Sequence, residues 1–108
     1  MTKTARRLMD KRPHLASFVR MRFDEVRDRW ILQAPERVLV LDETAKEILD
    51  LCDGETTSAT IVSKLASEYD APAEVIEHDV LAVLELLDEK KLIEWGRSNG
   101  EDHGKSGQ

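Results

Sequence analysis

Only one cysteine occurs in the 108 residues, Cys52, which excludes an internal disulfide and any multi-cysteine metal site and fits a reducing compartment. No apolar run approaches the roughly 20 residues that span a bilayer, and no signal-peptide pattern opens the chain. Phosphate loops of the GxGxxG and GKS/T types are missing, as is HExxH, and His14, His78 and His103 lie far apart. Together these absences remove the common signatures of catalysis, cofactor and metal binding, and they predict a soluble cytoplasmic protein with no catalytic residue, no cofactor and no metal. At 108 residues there is room for one domain with a small core and little room for a deep enclosed site.

Neither sign of charge is scarce, but the two are segregated. Residues 1–37 hold 10 Lys/Arg against 5 Asp/Glu and the remainder 6 against 17, so the two parts carry +5 and −11 and sum to the net −6. Such a division is either ordinary solvated surface or the mark of a partner that presents both signs, such as a short peptide.

What the chain does contain is concentrated between Trp30 and Gly54. Val38, Leu39, Val40 and Leu41 form a short strand-like run, and Asp42 follows as a helix N-cap whose carboxylate can accept first-turn N–H groups. Ala45, Ile48, Leu49 and Cys52 then recur at helical spacing, with Gly54 as the stop. This spacing predicts a strand feeding directly into a helix. Upstream, residues 18–23 and 26–32 are rich in β-branched and aromatic residues, with Asp24-Glu25 as the turn of an antiparallel hairpin and Pro35-Glu36 as the turn into the third strand. A three-stranded meander results, with an unpaired edge. Downstream, helices are expected over 43–52, over 58–69 with Thr57 as cap, and from about Pro72 to Lys90. Residues 1–17 read as a flexible basic arm, 18–95 as the domain and 96–108 as a disordered tail.

The last helix is apolar over more than half its circumference. Ile76, Val80, Leu84 and Leu87 cluster on one side, while Val75, Asp79, Val83 and Leu86 make an adjacent stripe. The sheet and the other helices can cover both stripes, or the second can line a groove beside the open edge strand. An edge of unpaired N–H and C=O groups beside an apolar helix face suits a peptide that adds as a strand. Four to six new backbone bonds at about 0.5–1.5 kcal/mol each would barely meet the cost of ordering a peptide. Micromolar affinity needs roughly 8 kcal/mol, so apolar anchors must supply the difference.

Competing chemistry is weak at each candidate residue. His78 beside Asp79 reads as a helix-surface histidine, Cys52 as a small buried hydrophobe, and Asp50, Asp53 and Glu55 as solvated carboxylates without calcium-loop spacing. A winged-helix DNA or RNA binder is a rival, yet the helix over 58–69 carries Lys64 alone against Glu68 and Asp70, too few cations for phosphate neutralisation. A dimerisation module using the same open edge is a second rival.

Arg12-Pro13, the hairpin FVRMRFDEVRDRWIL, the run APERVLVLDETAKEIL, Gly54 with Thr57, and a closing helix through LIEW resemble the PqqD family, peptide-recognition elements of pyrroloquinoline quinone biosynthesis. The resemblance covers roughly residues 11–95. It implies an α+β, winged helix-turn-helix-like domain with a three-stranded antiparallel sheet followed by three helices. It also implies a non-catalytic carrier that binds the precursor peptide PqqA between the third strand and third helix and presents it to the radical SAM enzyme PqqE. By position, Arg37, Val38, Leu39, Val40 and Leu41 would be the pairing edge, and Val75, Asp79, Val83 and Leu86 the groove wall. Neither nucleic acid nor a membrane is an expected partner. Two departures concern helix ends: Thr60 stands where the family often has Glu, and Lys91 where a Gly is expected.

Overall fold

A computed structural model describes residues 8–96. Five strands and three helices follow one another: β1 (Arg12–Leu15), β2 (Arg20–Asp24), β3 (Arg29–Ala34), β4 (Arg37–Leu41), α1 (Glu43–Asp50), α2 (Ser58–Tyr69), α3 (Ala73–Glu89) and β5 (Ile93–Gly96). Strands β2, β3 and β4 form the antiparallel meander, and β4 is one of its edges. The expected α+β arrangement of a three-stranded sheet followed by three helices is present.

Local chemistry sets the element boundaries. The first hairpin turns over residues 25–28 instead of at Asp24-Glu25, because Asp24 Oδ1 accepts hydrogen bonds from the backbone N–H of Val26 and Arg27. Val26 is consequently 89% exposed despite its β-propensity. Pro35-Glu36 makes a two-residue turn with Glu36 at φ 64°, closing on the pair Ala34↔Arg37. Asp42 caps α1 by accepting from Ala45 N at 2.7 Å, and Thr57 caps α2 by accepting from Thr60 N at 3.1 Å. Thr57 Oγ1 also donates to Thr60 Oγ1, so the threonine at the family's glutamate position still joins the cap.

The ends of the domain are where the structure departs from the sequence reading. Arg12–Leu15, expected within a free arm, form β1, and Ile93–Gly96, expected to hold no strand and at Gly96 to begin the tail, form β5; the two pair antiparallel from Arg12↔Gly96 to Leu15↔Ile93. Helix α3 stops because Lys91 enters the left-handed region at φ 64°, with Leu92 N donating to Leu87 O and Lys91 N to Asp88 O. This is a Schellman ending with a lysine where glycine is preferred. Lys91→Gly should therefore raise stability by about 0.5–1 kcal/mol, read as a higher urea midpoint with unchanged slope; a lower midpoint would contradict the assignment. Residues 1–7 of the expected arm and 97–108 of the expected tail lie outside the described residues.

The loop after α1 ties β1 to the helices. Gly54, at φ 81°, donates its N–H to Pro13 O, and Ser58 N donates to Lys11 O. Asp53 is no merely solvated carboxylate. Its Oδ1 accepts from the backbone N–H of Glu55 and of Thr56, and these bonds hold its carboxyl below the usual aspartate range. Gly96 passes so close to this loop that a Cβ there would sit 2.7 Å from Gly54 O.

One core fills the interior. Leu32 and Leu41 from the sheet, Ile48 and Leu49 from α1, Ile61, Val62 and Leu65 from α2, and Ile76, Val80, Leu84 and Leu87 from α3 belong to it, with Leu92 and Ile93 at the closing strand. Cys52 is buried beside them, its thiol pushed up to about 12 by burial and secondarily by the charge of Asp53, which makes it inert as a nucleophile.

Candidate functional site

Burial divides α3 along its two stripes. The core takes Ile76, Val80, Leu84 and Leu87. Of the other stripe, Val75 and Leu86 remain 53% and 48% exposed, while Asp79 and Val83 are half-buried. Apolar area of this kind on two turns of one helix is more than a solvated face requires.

Strand β4 runs alongside that helix in the opposite direction. At one end Arg37 Nη1 donates to Lys90 O at 3.5 Å, and at the other Asp42, Thr44, Asp79, Ala82 and Val83 line a concavity of about 250 Å³. The strand feeding directly into α1 places Asp42 and Thr44 there; sequence reasoning saw Asp42 as a cap and missed its second position at the mouth of a groove. Ala82 was likewise missed, because a small residue on the outer side of a helix carries no periodic signal.

Along β4 the side chains alternate. Leu39 and Leu41 face the core, whereas Val38 and Val40 are exposed by 56% and 55%. The backbone alternates with them. A two-residue hairpin closes on a hydrogen-bonded pair, here Ala34↔Arg37, so the pairs Leu32↔Leu39 and Trp30↔Leu41 also exchange ladder bonds. Val38 and Val40 then direct their N–H and C=O groups away from β3, toward the open edge. Among the predicted site residues, Asp79 and Val83 line the concavity, Arg37 lies at the opposite end of β4 beside Lys90, and Val38 and Val40 present backbone; Leu39 and Leu41 are core residues. Val75 and Leu86 lie on the same helix but outside the residues lining the concavity.

Among the described residues no group of three or more His, Cys, Asp or Glu could hold a metal ion, and His78 sits exposed on α3. None of the described helices is long and apolar enough to cross a membrane.

Comparison with known proteins gives a consistent family. The chain is 43% identical over 88 residues to a protein of Rhodopseudomonas palustris named PqqA binding protein, covering 82% of this chain and 86% of that one. Its fold is similar to the solution structure of the PqqD truncation of Methylobacterium extorquens PqqCD, described as a functional, stand-alone RiPP recognition element, with TM-score 0.66, 44% identity and coverage of 76% of this chain and 87% of the other. TbiB1, solved in complex with the TbiA(beta) leader peptide, shares the fold at TM-score 0.64 and 22% identity, with 75% and 94% coverage. Residues 29–93, from the start of β3 through α3 to the first residue of β5, match the family described as Coenzyme PQQ synthesis protein D (PqqD), and with these relatives they establish that the chain belongs to the PqqD family.

Proposed function

We propose that this chain binds the precursor peptide PqqA as an added strand on β4 and presents it to the radical SAM enzyme PqqE in the cytoplasm, contributing no catalytic group of its own. The observation that carries the reading is the open β4 edge, with Val38 and Val40 facing outward, beside an α3 stripe that the core leaves uncovered. Relatives named for PqqA binding support the identity of the peptide. The presentation to PqqE rests on the family resemblance.

An amide-shift titration of the labelled protein with PqqA tests the binding. Saturable shifts centred on residues 38–41 and 75–87 are expected, whereas a flat titration of a folded, monomeric protein would overturn the reading. Val83→Asp should weaken the complex by about tenfold or more, because it places an unpaired charge against the apolar part of the groove. Unchanged affinity in a folded Val83→Asp protein would remove this stripe from the site. Hand-over is checked separately by size-exclusion of the protein with PqqA and PqqE: co-elution of all three is expected, and elution of PqqE alone would remove that step while leaving peptide binding intact.

A further inference from the structure

On the face turned away from the helices, the three-stranded sheet finishes its two edges differently. Met21, Leu32 and Leu39 form one cross-strand row and pack on the core, so the residues alternating with them point the other way. On β2 these are Arg20, Arg22 and Asp24. That edge therefore shows only charge on its outer face, as edges kept from pairing with another strand commonly do. On β4 they are Val38 and Val40, both more than half exposed, and the strand places no charge on that face.

Across the sheet, the outer rows run Arg22–Ile31–Val40 and Arg20–Gln33–Val38. Ile31 is buried although it lies outside the main core. Arg22, opposite it, donates from Nη1 to Gln33 Oε1 at 3.1 Å, which lays the arginine stem along one side of Ile31. Val40 stands on the other side, so the apolar surface of this face runs from Ile31 to the open edge and ends there uncovered among the described residues. A strand added to β4 continues both rows by one residue. Val38 and Val40 offer it their N–H and C=O groups, and the residues set opposite them turn their side chains to the valines' own face, whichever way the strand runs. The residue opposite Leu39 turns toward α3 instead.

We propose that the side chains of Val38 and Val40 select the peptide on its outer face, taking two β-branched or aromatic residues, two apart in its sequence, that point away from α3. This rests on the peptide-binding reading above. Backbone pairing accepts any extended segment, whereas cross-strand contact with a valine favours β-branched and aromatic neighbours over charged ones. The added strand is then read on both faces, by the α3 groove on one and by the two valines on the other. A slip of one residue exchanges the two sets of side chains, so the outward pair fixes the register of the peptide together with the groove.

Isotope-filtered NOE spectra of the methyl-labelled protein with unlabelled PqqA test the placement. The methyls of Val38 and Val40 are expected to contact apolar side chains of two PqqA residues, two apart, while Val83 contacts only residues of the alternate set. Contacts of the two valines with polar residues only, with the same residues that reach Val83, or with no PqqA side chain overturn the proposal. Calorimetry tests the selection. The double variant Val38→Thr, Val40→Thr keeps side-chain shape and strand preference, and PqqA affinity is expected to fall about fivefold. Serine at the two contacted PqqA positions should cost the wild-type protein about as much and the double variant little more. Unchanged affinity of the folded double variant also overturns the proposal. In all these outcomes, amide shifts of the wild-type protein on adding PqqA keep the peptide-binding reading in place; a flat titration overturns both.

Discussion

Truncation of Leu84 to alanine should cost about 2–5 kcal/mol of folding free energy, the range for emptying a fully enclosed leucine site. Leu84 has no exposed surface and lies in the α3 stripe with Val80 and Leu87, which meets residues of α1, α2 and the sheet in one core. A single small domain commands only about 5–15 kcal/mol in total, and one of this length lies toward the lower part of that range, so the loss removes a large share of it. Urea denaturation should show a much lower midpoint with an unchanged slope, and a loss under about 1 kcal/mol would mean that the site is not enclosed. Leu86→Ala, two residues along the same helix, provides the control. Its side chain is half exposed, so its truncation should leave the midpoint nearly unmoved.

That contrast between neighbours on one helix was readable from sequence as two stripes, but not as inside and outside. Periodicity gives the angular grouping of Ile76, Val80, Leu84 and Leu87 against Val75, Asp79, Val83 and Leu86; it does not say which group the sheet covers, because both are apolar. The strand-to-helix junction was more legible. Val38–Leu41, the Asp42 cap and the helix behind it all rest on interactions within a few residues, and local interactions leave local signals. Strands β1 and β5 left none. Each is four residues long, RPHL and IEWG, with a proline in one and a glycine in the other, and they pair with each other across most of the domain. Their register depends on contacts that no window of sequence contains, such as Gly96 passing close to Gly54. The end of α3 was legible to within a residue, near Lys90, although a lysine rather than a glycine holds the left-handed position at 91. At the candidate site, Asp42 and Asp79 line one concavity only through tertiary packing, which is why sequence reading placed one as a cap and the other as a stripe residue.

The alternation of β4 decides where a proline disrupts binding and where it disrupts folding. Val40 directs its N–H to the open edge, so Val40→Pro removes a donor that the folded protein does not use, and an edge strand accepts proline at such a position. The ring also occupies the space where an added strand would place its carbonyl, leaving that carbonyl unpaired and pushed outward. A loss of about 3 kcal/mol in peptide binding is expected, roughly a hundredfold in affinity, with folding stability changed by less than about 1 kcal/mol. Leu41→Pro should behave in the opposite sense. Its N–H belongs to the ladder pair with Trp30 and its side chain to the core, so the substitution should lower stability directly and any effect on binding would follow from that. Titration of PqqA into the two variants, with urea denaturation of each, separates the cases. Full affinity in a folded Val40→Pro protein would mean that the peptide does not pair with β4, and would move the search to the exposed stripe of α3 alone.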